Sequence, residues 1–166
     1  MLISTENLNL SPLTASDTQS LHTLWTSPEV RRFLWDDRTL ALEETKDLVS
    51  LSQRYGEESG TGLWGIRVSG SEDLIGFSGL WPFGIDPRPE LLFGLHPQYW
   101  GQGKAREAAD ALIRYAFQTL DWSYLPASAD RGNTSSHQLL QRLGFDILSG
   151  TGTDPVRYQL DRCAIE

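Results

Sequence analysis

The chain has 166 residues, of which 39% are hydrophobic, enough to bury one full-sized core. Its 14 basic and 22 acidic residues give a net charge of −8 at pH 7, which argues against nucleic acid as a partner. One cysteine excludes an internal disulfide and a cysteine-based metal site, and no segment approaches the roughly 20 apolar residues of a membrane span. We therefore predict a single cytoplasmic domain over residues 1–166, without a membrane partner.

The first half of the chain alternates between strand-like and helix-like segments. Alternating leucines indicate a strand, apolar residues three and four apart indicate helices, and a polar turn between two apolar runs indicates a hairpin. The predicted elements are a strand over 8–13, a helix after the capping residues 14–17, a helix over 41–55, and antiparallel strands over 63–68 and 74–81. The glycine-containing segment 60–62 is predicted to break the chain between the second helix and the strand that follows.

The second half contains the most regular pattern of the sequence. Between 105 and 117, alanines and larger apolar residues recur at steps of three and four, which predicts a helix with one buried face. The remaining predicted elements are strands over 90–95, 122–128, 145–148 and 156–160 and a helix over 134–143.

A glycine-rich turn joins the strand over 90–95 to the following helix. The first turn of a helix leaves about four backbone N–H groups without intrahelical partners, so such a turn can hold a phosphate group. The spacing does not fit a P-loop, because Gln98 and Ala105 stand where Gly and Ser or Thr are needed. It does not fit a dinucleotide fingerprint either, since Arg106 replaces the third glycine.

The pattern Q-x-x-G-x-G-x-A over 98–105 resembles the acetyl-coenzyme A signature of the GNAT acetyltransferase superfamily. Asn133–Ser136 and Leu139–Phe145 resemble the helix start and the Leu-Gly-Phe exit of that family. Thr5–Leu13 and Ser27–Leu34 resemble its branch of ribosomal-protein alanine N-acetyltransferases, the RimJ/RimL type. The resemblance implies a single α/β GNAT domain, in which helices flank a mixed central sheet with splayed parallel strands.

The resemblance also implies acetyl-coenzyme A as cosubstrate, with no metal. In the family, the strand edge before the glycine turn pairs with pantetheine, main-chain amides of the turn hold the diphosphate, and an asparagine contacts the pantetheine. The corresponding residues here are Phe93, Gly94, Leu95, Trp100, Gly101, Gln102, Gly103, Lys104, Ala105 and Asn133.

Two residues match catalytic positions of the family. Ser136 is expected near the thioester, as a proton donor to the thiolate. Glu90 is expected to relay a proton from the amine through water, although a solvated strand end explains it equally well. Many relatives place a proton-donating Tyr four residues after this serine, where the chain has Leu140. His22, His96 and His137 show no metal-ligand spacing and are interpreted as structural.

The acceptor is expected to be a primary amine that attacks the thioester directly in a ternary complex. The amine must lose a proton before it can attack. At pH 7 this deprotonation costs about 1.4 kcal/mol for an α-amine with a pKa near 8, and about 4.6 kcal/mol for a lysine-like amine with a pKa near 10.4. A protein N-terminus is therefore favoured. Two alternatives stay open: a small-molecule amine such as a polyamine, an amino acid or an aminoglycoside-like compound, and a non-catalytic acyl-coenzyme A sensor. A homodimer is also left open.

In the resembled fold, the early helices and the segment after the third strand wall the acceptor site. Residues 36–58 carry seven acidic and three basic side chains, a net charge of −4 that could attract an ammonium group. The aromatic residues Trp35, Trp81 and Phe83 lie in or near these segments and are interpreted as core or surface aromatics in the first instance.

Overall fold

The computed structural model describes residues 1–84, 86–149 and 155–164 as an eight-stranded mixed sheet with helices on both faces. The strands are β1 (Ile3–Ser4), β2 (Leu8–Pro12), β3 (Gly62–Val68), β4 (Gly76–Trp81), β5 (Glu90–Leu95), β6 (Tyr124–Ala129), β7 (Asp146–Ser149) and β8 (Val156–Asp161). The helices are α1 (Thr18–Thr26), α2 (Pro28–Arg31), α3 (Leu42–Ser59), α4 (Lys104–Gln118) and α5 (Thr134–Arg142).

The strand order is β1-β2-β3-β4-β5-β6-β8-β7, and every neighbouring pair is antiparallel except β5 and β6. These two strands run parallel and share one paired position, Leu91 opposite Ala127. Beyond that pair they separate, so the predicted splay of two parallel central strands is confirmed. We call the Leu91–Ala127 pair the apex of the splay.

The alternation of side chains along the strands divides the core into two layers. On one face, α4 and α5 cover residues such as Trp64, Ile66 and Leu80. On the other face, α1 and α3 cover residues such as Leu63 and Phe77. The best predicted helix, α4, buries its apolar face in the first layer, as its 3.6-residue period requires.

The predicted elements differ from the observed ones mainly at their ends. Helix α3 continues to Ser59, four residues beyond the prediction, and stops where Gly60 adopts a left-handed conformation with φ of 72°. The second hairpin strand begins at Gly76 rather than at 74. The short elements β1 and α2 were not predicted, because two and four residues are too few to show a period.

An ion pair inside the protein ties the start of α1 to the sheet. Asp17, just before α1, contacts the Arg67 guanidinium on β3, and the two side chains are only 8% and 15% exposed. Arg67 also donates to the Ser11 hydroxyl at 3.0 Å on β2. Among the residues that the structure describes, no helix is long and apolar enough to cross a membrane.

Candidate active site

The splay opens a gap beside the last residues of β5. Phe93, Gly94 and Leu95 pair with β4 on one side, and within the described chain they have no strand partner on the side of β6. Their outer main-chain edge is therefore free. An extended ligand can pair with such an edge through main-chain hydrogen bonds.

A loop over residues 96–103, here called the glycine loop, connects β5 to α4. Two side-chain hydrogen bonds hold its conformation. The Trp100 indole N–H donates to the carbonyl of Leu95, the last residue of β5, at 2.8 Å, and the Gln102 amide donates to the Gln98 carbonyl at 2.9 Å. Gly101 and Gly103 have φ values of 71° and 77°, a left-handed conformation that other residues adopt only with strain.

The glycine loop presents a run of backbone donors without acceptors. The first backbone hydrogen bond at the start of α4 runs from the Glu107 N–H to the Gly103 carbonyl, at 3.0 Å. Among the described residues, the N–H groups of 101–106 have no hydrogen-bond acceptor. A Cβ on Gly101 or Gly103 would meet no atom within 4 Å, so the space beside the loop is open. This arrangement fits an anionic group such as a diphosphate.

Glu107 anchors the first turn of α4 to the N-terminal part of the chain. Its carboxylate accepts hydrogen bonds from the Thr5 hydroxyl at 2.6 Å, the Asn7 backbone N–H at 2.8 Å and the Asn7 amide at 3.2 Å. Burial raises the pKa of Glu107, but these hydrogen bonds and the nearby Lys104 outweigh burial, so the pKa lies below 4.5. The carboxylate is therefore held in its ionised form.

Helix α5 begins with the two residues predicted from the Asn-x-x-Ser pattern. The Asn133 side-chain oxygen accepts a hydrogen bond from the Ser136 backbone N–H at 3.2 Å, so Asn133 caps the helix. Both side chains are half-buried, which keeps them within reach of solvent or ligand. Leu140, one turn later, is 1% exposed and packs in the core. The position where relatives carry a tyrosine therefore supplies only packing here.

Glu90 lies next to the apex of the splay and is 2% exposed. Its carboxylate accepts a hydrogen bond from the Ser128 hydroxyl on β6 at 2.6 Å. Burial raises the pKa of Glu90 above its usual value of 4.5; the Ser128 hydrogen bond and the Arg157 charge oppose this rise, and the Asp86 charge adds to it. The alternative of a solvated strand end is therefore wrong, because the side chain is buried.

The groups around Glu90 could not be identified from the sequence. Arg157 on β8 contacts Asp86 at 3.4 Å, and the Tyr124 hydroxyl donates to the same carboxylate at 3.1 Å. These residues come from three parts of the chain, and only the register of the sheet brings them together. The one available signal was that Ser128 is a polar residue in an otherwise apolar strand.

An aromatic cluster adjoins Glu90 on the face covered by α1 and α3. Trp81 on β4 is paired with Glu90 on β5. The centroid of the Trp81 ring lies 5.4 Å from that of Tyr55 and 6.2 Å from that of Trp35. Phe83 contacts Trp35 at 6.5 Å and is 42% exposed. The structure thus brings together the three aromatic residues noted in the sequence and adds Tyr55, which the sequence did not distinguish.

The acidic segment is partly neutralised. Asp37 pairs with Arg31 at 3.0 Å, Glu44 with Arg38 at 2.7 Å, and Glu43 with Lys46 at 2.6 Å. These pairs are largely solvent-exposed, so their field at a distance is weak. Arg38 and Lys46 are already counted in the net charge of −4, and Arg31 adds one positive charge, so the segment together with Arg31 carries −3. The attraction for an ammonium group stays a prediction.

The three histidines have structural partners. His137 bonds the Tyr158 hydroxyl at 2.7 Å and lies 3.0 Å from the Asp130 carbonyl, and His22 bonds the Thr45 hydroxyl at 2.9 Å. The His96 ring accepts from the Gln98 backbone N–H at 3.4 Å. In the part of the chain that the structure describes, no group of three His, Cys, Asp or Glu side chains could hold a metal ion.

Comparison with known proteins decides the family. The profile of the acetyltransferase (GNAT) domain matches residues 7–146, which include the splay, the glycine loop and the start of α5. The chain belongs to the GNAT acetyltransferase family. The GNAT protein described here is therefore an N-acetyltransferase that depends on acetyl-coenzyme A, and its fold is the mixed sheet with flanking helices predicted from the sequence.

Individual relatives agree with this assignment. The N-acetyltransferase p20 of Bacillus licheniformis is 28% identical over 142 residues, which are 85% of this chain and 80% of p20. The crystal structure of an acetyltransferase from Agrobacterium tumefaciens strain C58 is 25% identical with a TM-score of 0.84, covering 98% of this chain and 95% of that one.

The GNAT fold is also shared with RimL, an α-N-acetyltransferase of ribosomal protein L7/L12. A structure of RimL in complex with coenzyme A has 19% identity and a TM-score of 0.81, and the match covers 99% of both chains. At this identity the likeness concerns the fold.

Proposed function

We propose that this GNAT protein transfers an acetyl group from acetyl-coenzyme A to the α-amine of a protein or peptide N-terminus. The observation that carries the cosubstrate site is the run of unbonded N–H groups over 101–106, beside the free edge of β5. The α-amine is supported by its low cost of deprotonation and by the likeness to RimL, which acetylates a ribosomal-protein N-terminus.

The coenzyme is proposed to lie along the gap between β5 and β6. The main chain of Phe93, Gly94 and Leu95 binds pantetheine, and Asn133 contacts it from the start of α5. Backbone amides of Gly101, Gln102, Gly103, Lys104 and Ala105 bind the diphosphate, where the start of α4 adds the positive end of its dipole. The amide of Trp100, which the sequence grouped with them, instead donates to the Pro97 carbonyl at 3.1 Å and holds the turn before the loop glycines.

Acetyl-coenzyme A supplies the thioester that the amine attacks, so a C–N bond forms while the C–S bond breaks. Glu90 accepts the proton of the amine through water, and burial at the apex brings its pKa closer to neutrality than that of a surface carboxyl. The Ser136 hydroxyl donates a proton to the thiolate and takes one from water at the same time, so the serine ends the step neutral. A thiol pKa near 8.5 makes this a modest demand, which a hydroxyl or water can meet.

A turnover assay with acetyl-coenzyme A and release of free thiol tests the proposal. The panel contains peptides with a free N-terminus, the same peptides with a blocked N-terminus and an internal lysine, polyamines, free amino acids and an aminoglycoside. We expect acetylation of the free N-termini and of no blocked peptide. Turnover confined to the small amines would establish the small-molecule alternative. Calorimetric binding of acetyl-coenzyme A without turnover on any amine of the panel would contradict this proposal and favour the sensor.

Two variants test the assigned catalytic residues. Glu90→Gln and Ser136→Ala are each expected to lower kcat by about 10²-fold or more, the usual size of a general acid or base contribution, with unchanged affinity for acetyl-coenzyme A. Unchanged turnover in either variant would remove that residue from the mechanism. Loss of affinity in either would mean that the residue binds the coenzyme instead.

A further inference from the structure

We propose that Ser128 is the positioning residue for Glu90, holding its carboxylate ionised and correctly oriented at the apex of the splay. This inference rests on the proposed role of Glu90 as proton acceptor. Ser128 has no assigned role in the sequence motifs of the family resemblance.

The hydrogen bond between the two residues spans the two splayed strands. β5 and β6 share one paired position, Leu91 with Ala127. Glu90 directly precedes the first of these residues and Ser128 directly follows the second. The 2.6 Å contact from the Ser128 hydroxyl to the Glu90 carboxylate is therefore a side-chain link across the apex, at the point where main-chain pairing ends.

The Ser128 hydroxyl is the group that donates directly to this carboxylate. From β4, Trp81 stands opposite Glu90 and carries no charge. From β8, Arg157 attracts the carboxylate, but its guanidinium is shared with Asp86 at 3.4 Å. From the segment before β5, Asp86 repels it. A carboxylate buried in this setting depends on a direct donor to stay ionised.

The donor also decides which oxygen is engaged. Ser128 donates to one carboxylate oxygen, Oε2, which restrains the rotation of the group. A base whose orientation is fixed in advance does not need to be ordered during the reaction, and this is the advantage of a positioned group. Without the hydroxyl, the carboxylate would be buried without its direct donor, and protonation would become easier.

The test compares Ser128→Ala, Ser128→Val and Ser128→Thr with the unmodified protein. Thr and Val have the same shape, so the pair separates the hydroxyl from packing. Ser78→Ala is the matched control, because the Ser78 hydroxyl is fully buried and donates to the Leu92 carbonyl of β5 at 2.9 Å without contacting Glu90.

Two measurements are made on each variant: the pH dependence of kcat/KM, and the titration of the Glu90 carboxyl by ¹³C NMR, assigned by its absence in Glu90→Gln. We expect Ser128→Ala and Ser128→Val to move the acidic limb of kcat/KM and the Glu90 titration upward by about one pH unit, with about tenfold lower kcat/KM below the limb. Ser128→Thr should keep both close to the unmodified values.

The outcomes separate the two proposals. A Glu90 titration that is unchanged in Ser128→Val relative to Ser128→Thr would overturn the role of Ser128, whatever the rates show. A titration that moves while the acidic limb stays fixed would show that Glu90 is not the proton acceptor, and Ser128 would then have no part in the reaction. An equal shift of the limb in Ser78→Ala would also overturn the proposal, because any loosening of β5 would then suffice.

Discussion

The indole N–H of Trp100 donates to the carbonyl of Leu95 at 2.8 Å, which ties the middle of the glycine loop to the last residue of β5. Trp100 is 52% exposed, so this hydrogen bond stabilises the conformation of the glycine loop and adds little to the packing of the core. Trp100→Phe removes one hydrogen bond worth about 1 kcal/mol, and we expect acetyl-coenzyme A to bind about fivefold more weakly by calorimetry. Trp122→Phe, at the other end of the parallel strands, should leave affinity unchanged; equal losses in both variants would contradict the prediction.

Gly103 and Gly70 allow a matched comparison of backbone strain and ligand approach. Their φ values are 77° and 83°, and an added Cβ would meet no atom within 4 Å at either site. Gly103→Ala and Gly70→Ala should therefore lower the free energy of unfolding equally, by about 1 kcal/mol in urea titrations. The methyl group of Gly103→Ala would enter the open space beside the glycine loop, where the diphosphate is proposed to bind, so this variant alone should bind acetyl-coenzyme A at least tenfold more weakly. Similar affinities would refute the assigned diphosphate site.

Glu107 should make the free energy of unfolding depend on pH. Its pKa is lower in the folded protein than the ordinary 4.5, so its stabilisation is fully present above that value and is lost as the pH falls through the folded pKa. We expect Glu107→Gln to be about 1 kcal/mol less stable at pH 7, with the difference shrinking in acid. Urea titrations from pH 7 to pH 3 measure this. Glu57→Gln, at an exposed position of α3, should show no such trend; a pH-independent difference for Glu107→Gln would contradict the prediction.

The ion pair between Asp17 and Arg67 should be essential to the fold. Asp17→Asn leaves the guanidinium, which is only 15% exposed, without its counter-charge, and this should cost about 3 kcal/mol of the free energy of unfolding. The surface pair of Glu43 and Lys46, whose side chains are 77% and 50% exposed, provides the control. Glu43→Gln should change little. Equal effects of the two variants in urea unfolding would show that the buried pair adds nothing beyond a surface contact.

Local patterns determined much of the fold and of the coenzyme site. The period of α4, the glycine pattern over 98–105 and the cap at Asn133 each depend on residues within a few positions of one another. Such features are readable because helix period, turn conformation and capping are short-range effects. The free N–H groups over 101–106 follow from the same local geometry.

The surroundings of the proposed catalytic base were decided by tertiary structure alone. Glu90 is buried because β4 and β6 flank it, and its partner Ser128 lies 38 residues away along the chain. The contacts among Trp35, Trp81 and Tyr55 likewise join a short 3-10 helix, a strand and an α-helix. Burial and strand register are set by the packing of distant segments, so a pattern of neighbouring residues predicts that a glutamate begins a strand but not whether water reaches it.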